Sequence, residues 1–108
     1  MDFAQYQRDA ARTENKMLNE NDQLICAALG LTGESGEFAD IVKKWRFQGH
    51  DFDRVKAEKE LGDVLWYLAL AASAMGISLE QVAEGNIKKL KERYPGAFSP
   101  SASINRAG

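Results

Sequence analysis

The 108-residue chain has one cysteine, two prolines and no excess of positive charge. A single cysteine, Cys26, excludes an internal disulfide framework and a cysteine-rich zinc site, and it is typical of a reducing, cytoplasmic setting. Because Pro95 and Pro100 both lie late, the proline-free body favours helices over a strand-and-turn fold. The net charge is 14 − 16 = −2, and a mildly acidic chain is a poor candidate for binding a nucleic-acid polymer.

Long hydrophobic runs are also absent. The longest uncharged stretch, residues 64–79, contains Ser73, Gly76 and Ser78 and falls short of the roughly 20 apolar residues that a membrane span needs. The N-terminus has no apolar segment typical of a secretory signal. We therefore expect no membrane partner and interpret residues 64–79 as part of a buried core helix. Cys26 has apolar neighbours, so we also expect it to be buried as a small hydrophobic residue.

Hydrophobic periodicity, together with residues typical of helix starts and ends, predicts four helices. They cover residues 3–14, 22–45, 54–75 and 79–94. Candidate N-caps precede them, and Gly49 and Gly76 are expected to end the second and third helices. No window alternates with period two, so we predict no strand. The fold class is all-α: an antiparallel bundle of about four helices in a single domain, residues 1–96, followed by a flexible tail, residues 97–108. Because so small a chain covers wide apolar faces poorly, we expect oligomerisation to complete the bundle.

The acids at the edges of the predicted core are the most informative feature. Glu34 and Glu37 are three residues apart on the second helix, and Glu60 and Asp63 are three apart on the third. Residues at i and i+3 share a helix face, and at about 100° per residue both pairs flank the apolar stripe of their helix. If the two helices bury these stripes against each other, all four acids are brought together.

Four neighbouring carboxylates repel one another and raise each other's pKa unless a cation neutralises them. Hard divalent cations with oxygen ligands, Mg²⁺ or Mn²⁺, are the natural partners, and Mg²⁺ keeps positions open for substrate phosphates. The cluster therefore indicates phosphate chemistry. The alternative is a pair of ordinary solvated helix faces, and the acids alone leave both interpretations open.

A polar stripe on the last helix consists of Asn86, Lys89 and Arg93, at spacing i, i+3 and i+7. An amide and two cations beside a core could hold a base or triphosphate oxygens. Cations near a helix C-terminus are also favoured by the helix dipole. On the residues alone, that second explanation is the stronger one.

Beyond these patterns, the sequence resembles the MazG-like family of all-α nucleoside triphosphate pyrophosphohydrolases. That family's signature is Glu-x-x-Glu, a spacer and Glu-x-x-Asp, which correspond to Glu34, Glu37, Glu60 and Asp63. The ending N-I-K-K-L-K-E-R-Y-P, residues 86–95, is similar to the family's last helix. The resemblance covers roughly residues 23–95. The chain departs from many relatives at Gly33, where an additional acid is common.

The resemblance implies an obligate homodimer or homotetramer that hydrolyses a nucleoside triphosphate to the monophosphate and pyrophosphate, in nucleotide-pool house-cleaning. It implies that the four acids are catalytic and bind Mg²⁺. Substrate would be bound by Asn86, Lys89 and Arg93, with Lys44, Trp45 and Tyr67 as further candidates. The two aromatic residues are equally consistent with core packing.

Two alternatives remain at this stage. The chain could be a non-catalytic helical interaction module, since its apolar faces are wide for its size. It could instead be a related pyrophosphohydrolase acting on another nucleotide such as phosphoribosyl-ATP. A histidine site is not expected, because His50 is the only histidine and no Glu-x-x-His pattern is present.

Overall fold

The computed structural model describes residues 1–106 of the chain. Five helices follow one another, with no strand among the described residues: α1 (Phe3–Ala11), α2 (Glu20–Phe47), α3 (Arg54–Ala74), α4 (Leu79–Arg93) and α5 (Pro100–Ile104). The predicted all-α fold class is confirmed. The four predicted helices are present, although α1 is shorter than predicted and α2 extends further at both ends.

Short polar side chains start the four main helices, as the sequence predicts. In each, a side-chain oxygen accepts a hydrogen bond of 2.8–3.0 Å from the backbone N–H three residues later; the caps are Asp2, Asn19, Asp53 and Ser78. These bonds satisfy N–H groups that have no partner inside the helix. Gly49 (φ +74°) and Gly76 (φ +73°) follow the ends of α2 and α3 in the left-handed region, where glycine is tolerated without strain.

The two longest helices, α2 and α3, pair in opposite directions. Gly30 meets Tyr67, and Glu34 meets Glu60 further along the pair. Four of the six buried residues that the structure describes are alanines: Ala27, Ala57, Ala69 and Ala72 are 0–5% exposed. Small side chains at buried positions favour a close approach of the helices.

Helix α1 packs on α3 and also contacts α4. Its residues Tyr6 and Ala10 lie against a small core formed by Ala69, Ala72 and Leu79. Helix α4 leaves α3 at an angle of 101°. At this corner, Gln7 Nε2 donates to Ser73 Oγ and to the Ile77 carbonyl, both at 3.0 Å, and Gln7 Oε1 accepts from Leu79 N at 2.9 Å. One side chain of α1 therefore joins the end of α3 to the start of α4.

The apolar stripes of α2 and α3 stay partly exposed instead of covering each other. Leu24 is 38%, Leu61 52%, Leu68 40% and Met75 59% exposed. Cys26 is exposed as well, so its predicted burial is wrong for the single chain. The helices meet along the edge that carries Gly30, Tyr67 and the acids, which leaves much of both stripes on the surface.

The C-terminal part contains more local structure than a uniform coil. Helix α5 begins at Pro100, and Ser99 Oγ accepts a hydrogen bond of 3.1 Å from Ala102 N. The rings of Tyr94 and Phe98 lie 5.3 Å apart. Two positions of the predicted tail, Ala107 and Gly108, lie outside the described residues. Among residues 1–106, none of the individual helices combines the length and the hydropathy of a membrane span.

Candidate functional site

Three carboxylates from two helices meet on the shared edge of α2 and α3. Glu34 of α2 and Glu60 and Asp63 of α3 each offer one oxygen, and these oxygens lie within 4.8 Å of one another. Glu34 and Glu60 are half-buried, whereas Asp63 is exposed. We call these three residues the acidic cluster. The structure thus brings together three of the four acids that the sequence singles out.

The acidic cluster is short of positive charge. The pKa of Glu34 is raised by a hydrogen bond shared with the Glu60 carboxyl, by partial burial and by the charges of Asp63, Glu60 and Glu37. No described residue donates to Glu60 Oε2, which is buried. A buried carboxylate oxygen without a donor is costly, and either a proton or a cation can remove that cost. Mg²⁺ binds carboxylate oxygens and usually keeps several water ligands. The acidic cluster offers such oxygens, and the exposed Asp63 leaves it open to water.

Glycine allows the helices to approach each other beside the acidic cluster. The ring of Tyr67, one turn after Asp63, lies against Gly30, one turn before Glu34. A Cβ at Gly30 would overlap that ring, whereas nothing lies within 4 Å of the corresponding position at Gly33. Gly30 therefore has a packing reason that Gly33 lacks, and Tyr67 is held between the helices next to the acids.

Glu37 lies one turn beyond Glu34 and is exposed. It does not contribute to the three converging oxygens, but its charge reaches Glu34 and also Lys44. Lys44 Nζ pairs with Asp40 Oδ2 at 2.8 Å, and this contact raises the pKa of Lys44 and lowers that of Asp40. Lys44 is therefore held by an exposed ion pair with Asp40, and among the four acids it is Glu37 whose charge acts on it.

The two aromatic candidates have different surroundings. Trp45 is 48% exposed and makes an edge contact with Phe52, with ring centroids 5.4 Å apart. Tyr67 is half-buried; besides Gly30 it contacts Trp66 edge-on at 5.0 Å. Of the two, Trp45 offers more surface to a ligand, and Tyr67 has the stronger packing role.

The polar stripe of α4 is not among the charges that act on Glu34 in the single chain. Asn86 and Lys89 are exposed, and Arg93 is half-buried at the end of the helix. Helix α4 turns away from α3 by 101°, and the charges that act on Glu34 are all acidic.

Helix α1 and the turn that follows it contribute residues that the sequence patterns did not single out as site residues. Trp66 Nε1 donates to Thr13 Oγ1 at 2.8 Å, which fixes the tryptophan next to Tyr67. Partial burial raises the pKa of Tyr6, and the charge of Asp63 raises it further. These contacts join parts of the chain that are distant in sequence, so no local motif predicts them.

Comparisons with known proteins identify one family and one relative. The family described as the MazG nucleotide pyrophosphohydrolase domain matches residues 24–98. The "Gene 37 protein" of Mycobacterium phage L5 is 39% identical over 90 residues, which cover 77% of this chain and 76% of the phage protein. No solved structure matches the chain. The family match includes all of α3 and α4 and most of α2, whereas α1 precedes it.

Proposed function

The chain belongs to the MazG nucleotide pyrophosphohydrolase family, and from this premise we propose that it hydrolyses nucleoside triphosphates to the monophosphate and pyrophosphate with the help of Mg²⁺. Standard or non-standard deoxynucleotides are the proposed substrates, and nucleotide-pool house-cleaning is the proposed role. Mn²⁺ is a possible substitute, because it has the same preference for oxygen ligands.

One observation carries the proposal: three carboxylate oxygens converge within 4.8 Å, and one of these acids, the half-buried Glu60, has a buried oxygen without a donor among the described residues. Acids that only solubilise a helix point away from one another into water. Here Glu34 and Glu60 face each other instead and raise the pKa of Glu34. Such an arrangement is unfavourable for the fold alone and favourable once a cation is bound.

In the proposed mechanism Glu34, Glu60 and Asp63 hold the cation. When bound there, Mg²⁺ supplies charge neutralisation for the phosphates and lowers the pKa of an attacking water. Glu37 is exposed one turn away, so its carboxylate oxygens are free to accept the proton of that water. Glu34 is the less suitable proton acceptor, because its carboxyl is already engaged with Glu60.

The remaining candidates are proposed to bind substrate. The charge of Glu37 acts on Lys44, and Lys44 would contact phosphate oxygens. Trp45 and Tyr67 would contact the base or sugar. The polar stripe of α4, Asn86, Lys89 and Arg93, would bind phosphates presented at the acidic cluster of a neighbouring copy.

That last role requires a homodimer or homotetramer, which the exposed apolar surface supports. Ile25 is 57% and Leu29 71% exposed on α2, and Met75 is 59% exposed on α3. We expect sedimentation to show an oligomer and Leu29→Glu to dissociate it. The matched change Phe98→Glu, at a 70% exposed residue outside α2 and α3, should leave the sedimentation unchanged. A monomeric wild-type protein would contradict this part of the proposal.

The activity test is pyrophosphate release from a panel of ribo- and deoxyribonucleoside triphosphates with and without Mg²⁺. Glu60→Gln should fold and lose activity, because it removes the charge of a cation ligand. The control Glu84→Gln removes an exposed acid of α4 and should retain activity. If the folded, Mg²⁺-supplied protein cleaves no nucleotide, the proposal fails.

The panel also separates the alternatives. Phosphoribosyl-ATP is added to the panel, and its cleavage in place of the triphosphates would indicate a related pyrophosphohydrolase with a different substrate. A non-catalytic interaction module predicts no nucleotide binding, so Mg²⁺ and nucleotide would leave its melting temperature unchanged. A ligand that binds only the folded state must raise that temperature.

A further inference from the structure

An open groove lies along one face of α4, beside the start of α1. It has a volume of about 630 Å³, and its lining consists of Phe3 and a set of α4 residues that includes Glu80, Glu84, Ile87, Lys88 and Lys91. We call it the α4 groove. The acidic cluster and the polar stripe contribute none of its lining residues, so the proposed function gives the groove no role.

The α4 groove exposes apolar surface among its charges. Phe3 is 46% and Ile87 51% exposed, and the half-buried Ala83 also belongs to the lining. An apolar centre with a polar rim is the usual composition of a protein–protein interface. Apolar area of this kind gains free energy when a second surface removes it from water. The groove therefore has the composition of a contact surface.

The charges of the α4 groove are sorted by sign along the helix. Glu80 and Glu84 lie in its N-terminal half, whereas Lys88 and Lys91 lie in its C-terminal half. Their spacing of three or four residues keeps all four on one helix face. The helix dipole favours an acid in the first turn and a lysine in the last, but its effect falls off beyond those turns. It therefore does not account for Glu84 and Lys88.

The same four charges are unpaired in the single chain. Glu84 and Lys88 are four residues apart, a spacing at which opposite charges often pair along a helix. The ion pairs within residues 1–106 nevertheless join other residues, in the turn after α1 and near the end of α2. All four side chains are exposed. They are therefore available to charges that a partner brings.

A second α4 in the antiparallel orientation has the complementary order of charges. With a two-fold axis near the middle of the helix, Glu80 of one copy lies opposite Lys91 of the other. Glu84 then lies opposite Lys88, and the symmetry makes each pair occur twice. A polyanion such as a nucleic acid is a poor match, because Glu92 brings the lining to three acids against two lysines. We propose that the α4 groove binds α4 of a second copy of this chain, antiparallel and about a two-fold axis.

Two charge-reversal variants test this contact by sedimentation. In a symmetric contact, Glu84→Lys sets lysine against lysine and Lys88→Glu sets acid against acid, which is unfavourable across an interface. Each variant alone should weaken the α4 contact by about tenfold, which corresponds to about 1.4 kcal/mol, and should sediment at a lower mass than wild type. An equimolar mixture of the two should recover the wild-type mass, because every charge pair in the mixed contact again has opposite signs. Mixing cannot restore a variant that fails to fold.

The control for charge reversal is Asp9→Lys. Asp9 is an exposed acid of α1 that does not line the α4 groove, so this change should leave the wild-type mass unaltered. Melting temperatures of all variants show whether they remain folded. The proposal is overturned if both reversal variants keep the wild-type mass, or if variants that have lost it do not recover it on mixing.

A further variant separates this contact from the one proposed for the apolar surface of α2 and α3. A chain that makes both contacts assembles into a homotetramer, and this count of four rests on the α2–α3 contact proposed above. Leu29→Glu should then leave a dimer joined through α4, and Leu29→Glu combined with Glu84→Lys should be monomeric. If Leu29→Glu alone is already monomeric, the α4 contact is rejected and the α2–α3 contact stands. Sedimentation needs no substrate, so a failure of the proposed hydrolysis would be seen separately, in the pyrophosphate assay.

Discussion

The ring of Tyr67 on α3 lies directly against Gly30 on α2, at a position that a Cβ would occupy. Tyr67 is one turn after Asp63, and Gly30 is one turn before Glu34. The close contact is thus adjacent to the place where the acids converge. We infer that it sets the separation of the two helices at the acidic cluster.

A methyl group at this position should be damaging. Gly30→Ala would force the Tyr67 ring to move, and overpacking of this kind costs about 1–3 kcal/mol. The cost exceeds the roughly 1 kcal/mol that alanine gains over glycine inside a helix. We expect a lower free energy of unfolding, measured by denaturant titration. Gly33→Ala, with nothing within 4 Å, should raise it instead. If Gly30→Ala and Gly33→Ala stabilise the protein equally, the Tyr67 ring can move aside at no cost, which would contradict this prediction.

The sequence predicted the helices well because the signals that start and stop them are local. A cap such as Ser78 needs only the N–H of Gln81, three residues later, and Gly76 ends a helix through its own backbone angle. The pairing of acids could also be predicted in part, since spacing fixes which side chains share a face. Which faces meet is not local, and there the predictions were less successful.

The exposure of Cys26 shows most clearly that the sequence does not determine which helix faces meet. Cys26 has apolar neighbours in the sequence, yet it lies on the surface, because α2 meets α3 along the edge that carries Gly30. The bend before α4 depends on Gln7, whose partners lie more than 60 residues further along the chain. Nothing in the local pattern around Gln7 indicates these contacts.

The corner between α3 and α4 should be sensitive to Gln7. Gln7→Ala removes three hydrogen bonds and leaves the Leu79 N–H, at the start of α4, without its acceptor. Loss of partly buried polar partners costs about 1–3 kcal/mol, which thermal unfolding can measure. Gln7→Glu keeps an acceptor for Leu79 and should be intermediate. Gln5→Ala removes side-chain hydrogen bonds to Asp9 and from Arg8, which stay within α1, and should therefore cost less stability than Gln7→Ala; an equal loss at both positions would contradict the role of the corner.

The stability of the metal-free protein should depend on pH through Glu34. The pKa of Glu34 is raised above 4.5 in the folded chain, so the folded state binds this proton more tightly than the unfolded state does. Glu34 therefore contributes stability below its unfolded pKa, and that stability is lost as pH rises through its folded pKa. The pKa of Asp40 is lowered from 3.8, so its stabilising effect is lost on acidification, in a separate and lower pH window.

Mg²⁺ should compete with this proton. We expect the rise in melting temperature on adding Mg²⁺ to be small near pH 4.5 and to grow as Glu34 deprotonates. Glu34→Gln should flatten the pH dependence of the melting temperature of the metal-free protein above pH 4.5. It should also reduce the rise in melting temperature on adding Mg²⁺. A Mg²⁺ effect that is independent of pH and survives this change would place the ion elsewhere.

Two adjacent lysines allow a matched test of phosphate binding. Lys43 and Lys44 both pair with Asp40, at 3.3 and 2.8 Å, and both side chains are about half exposed. The pKa of Lys44 is raised mainly by its hydrogen bond to Asp40 and also by the charge of Glu37, and no such link to Glu37 is described for Lys43. Lys44→Met should raise KM for a triphosphate by about tenfold, with a smaller effect on kcat, because it removes a binding charge.

Lys43→Met is the control, since it removes the same charge from the same ion pair without the link to Glu37. Exposed ion pairs contribute about 0–1 kcal/mol, so the two variants should have similar melting temperatures, and stability alone cannot explain a difference in KM. The salt dependence of KM should also weaken in Lys44→Met and persist in Lys43→Met, because screening acts on charges that contact substrate. Equal KM values in the two variants would show that Lys44 does not bind phosphate and only pairs with Asp40. Phosphate binding would then be assigned to the polar stripe of α4.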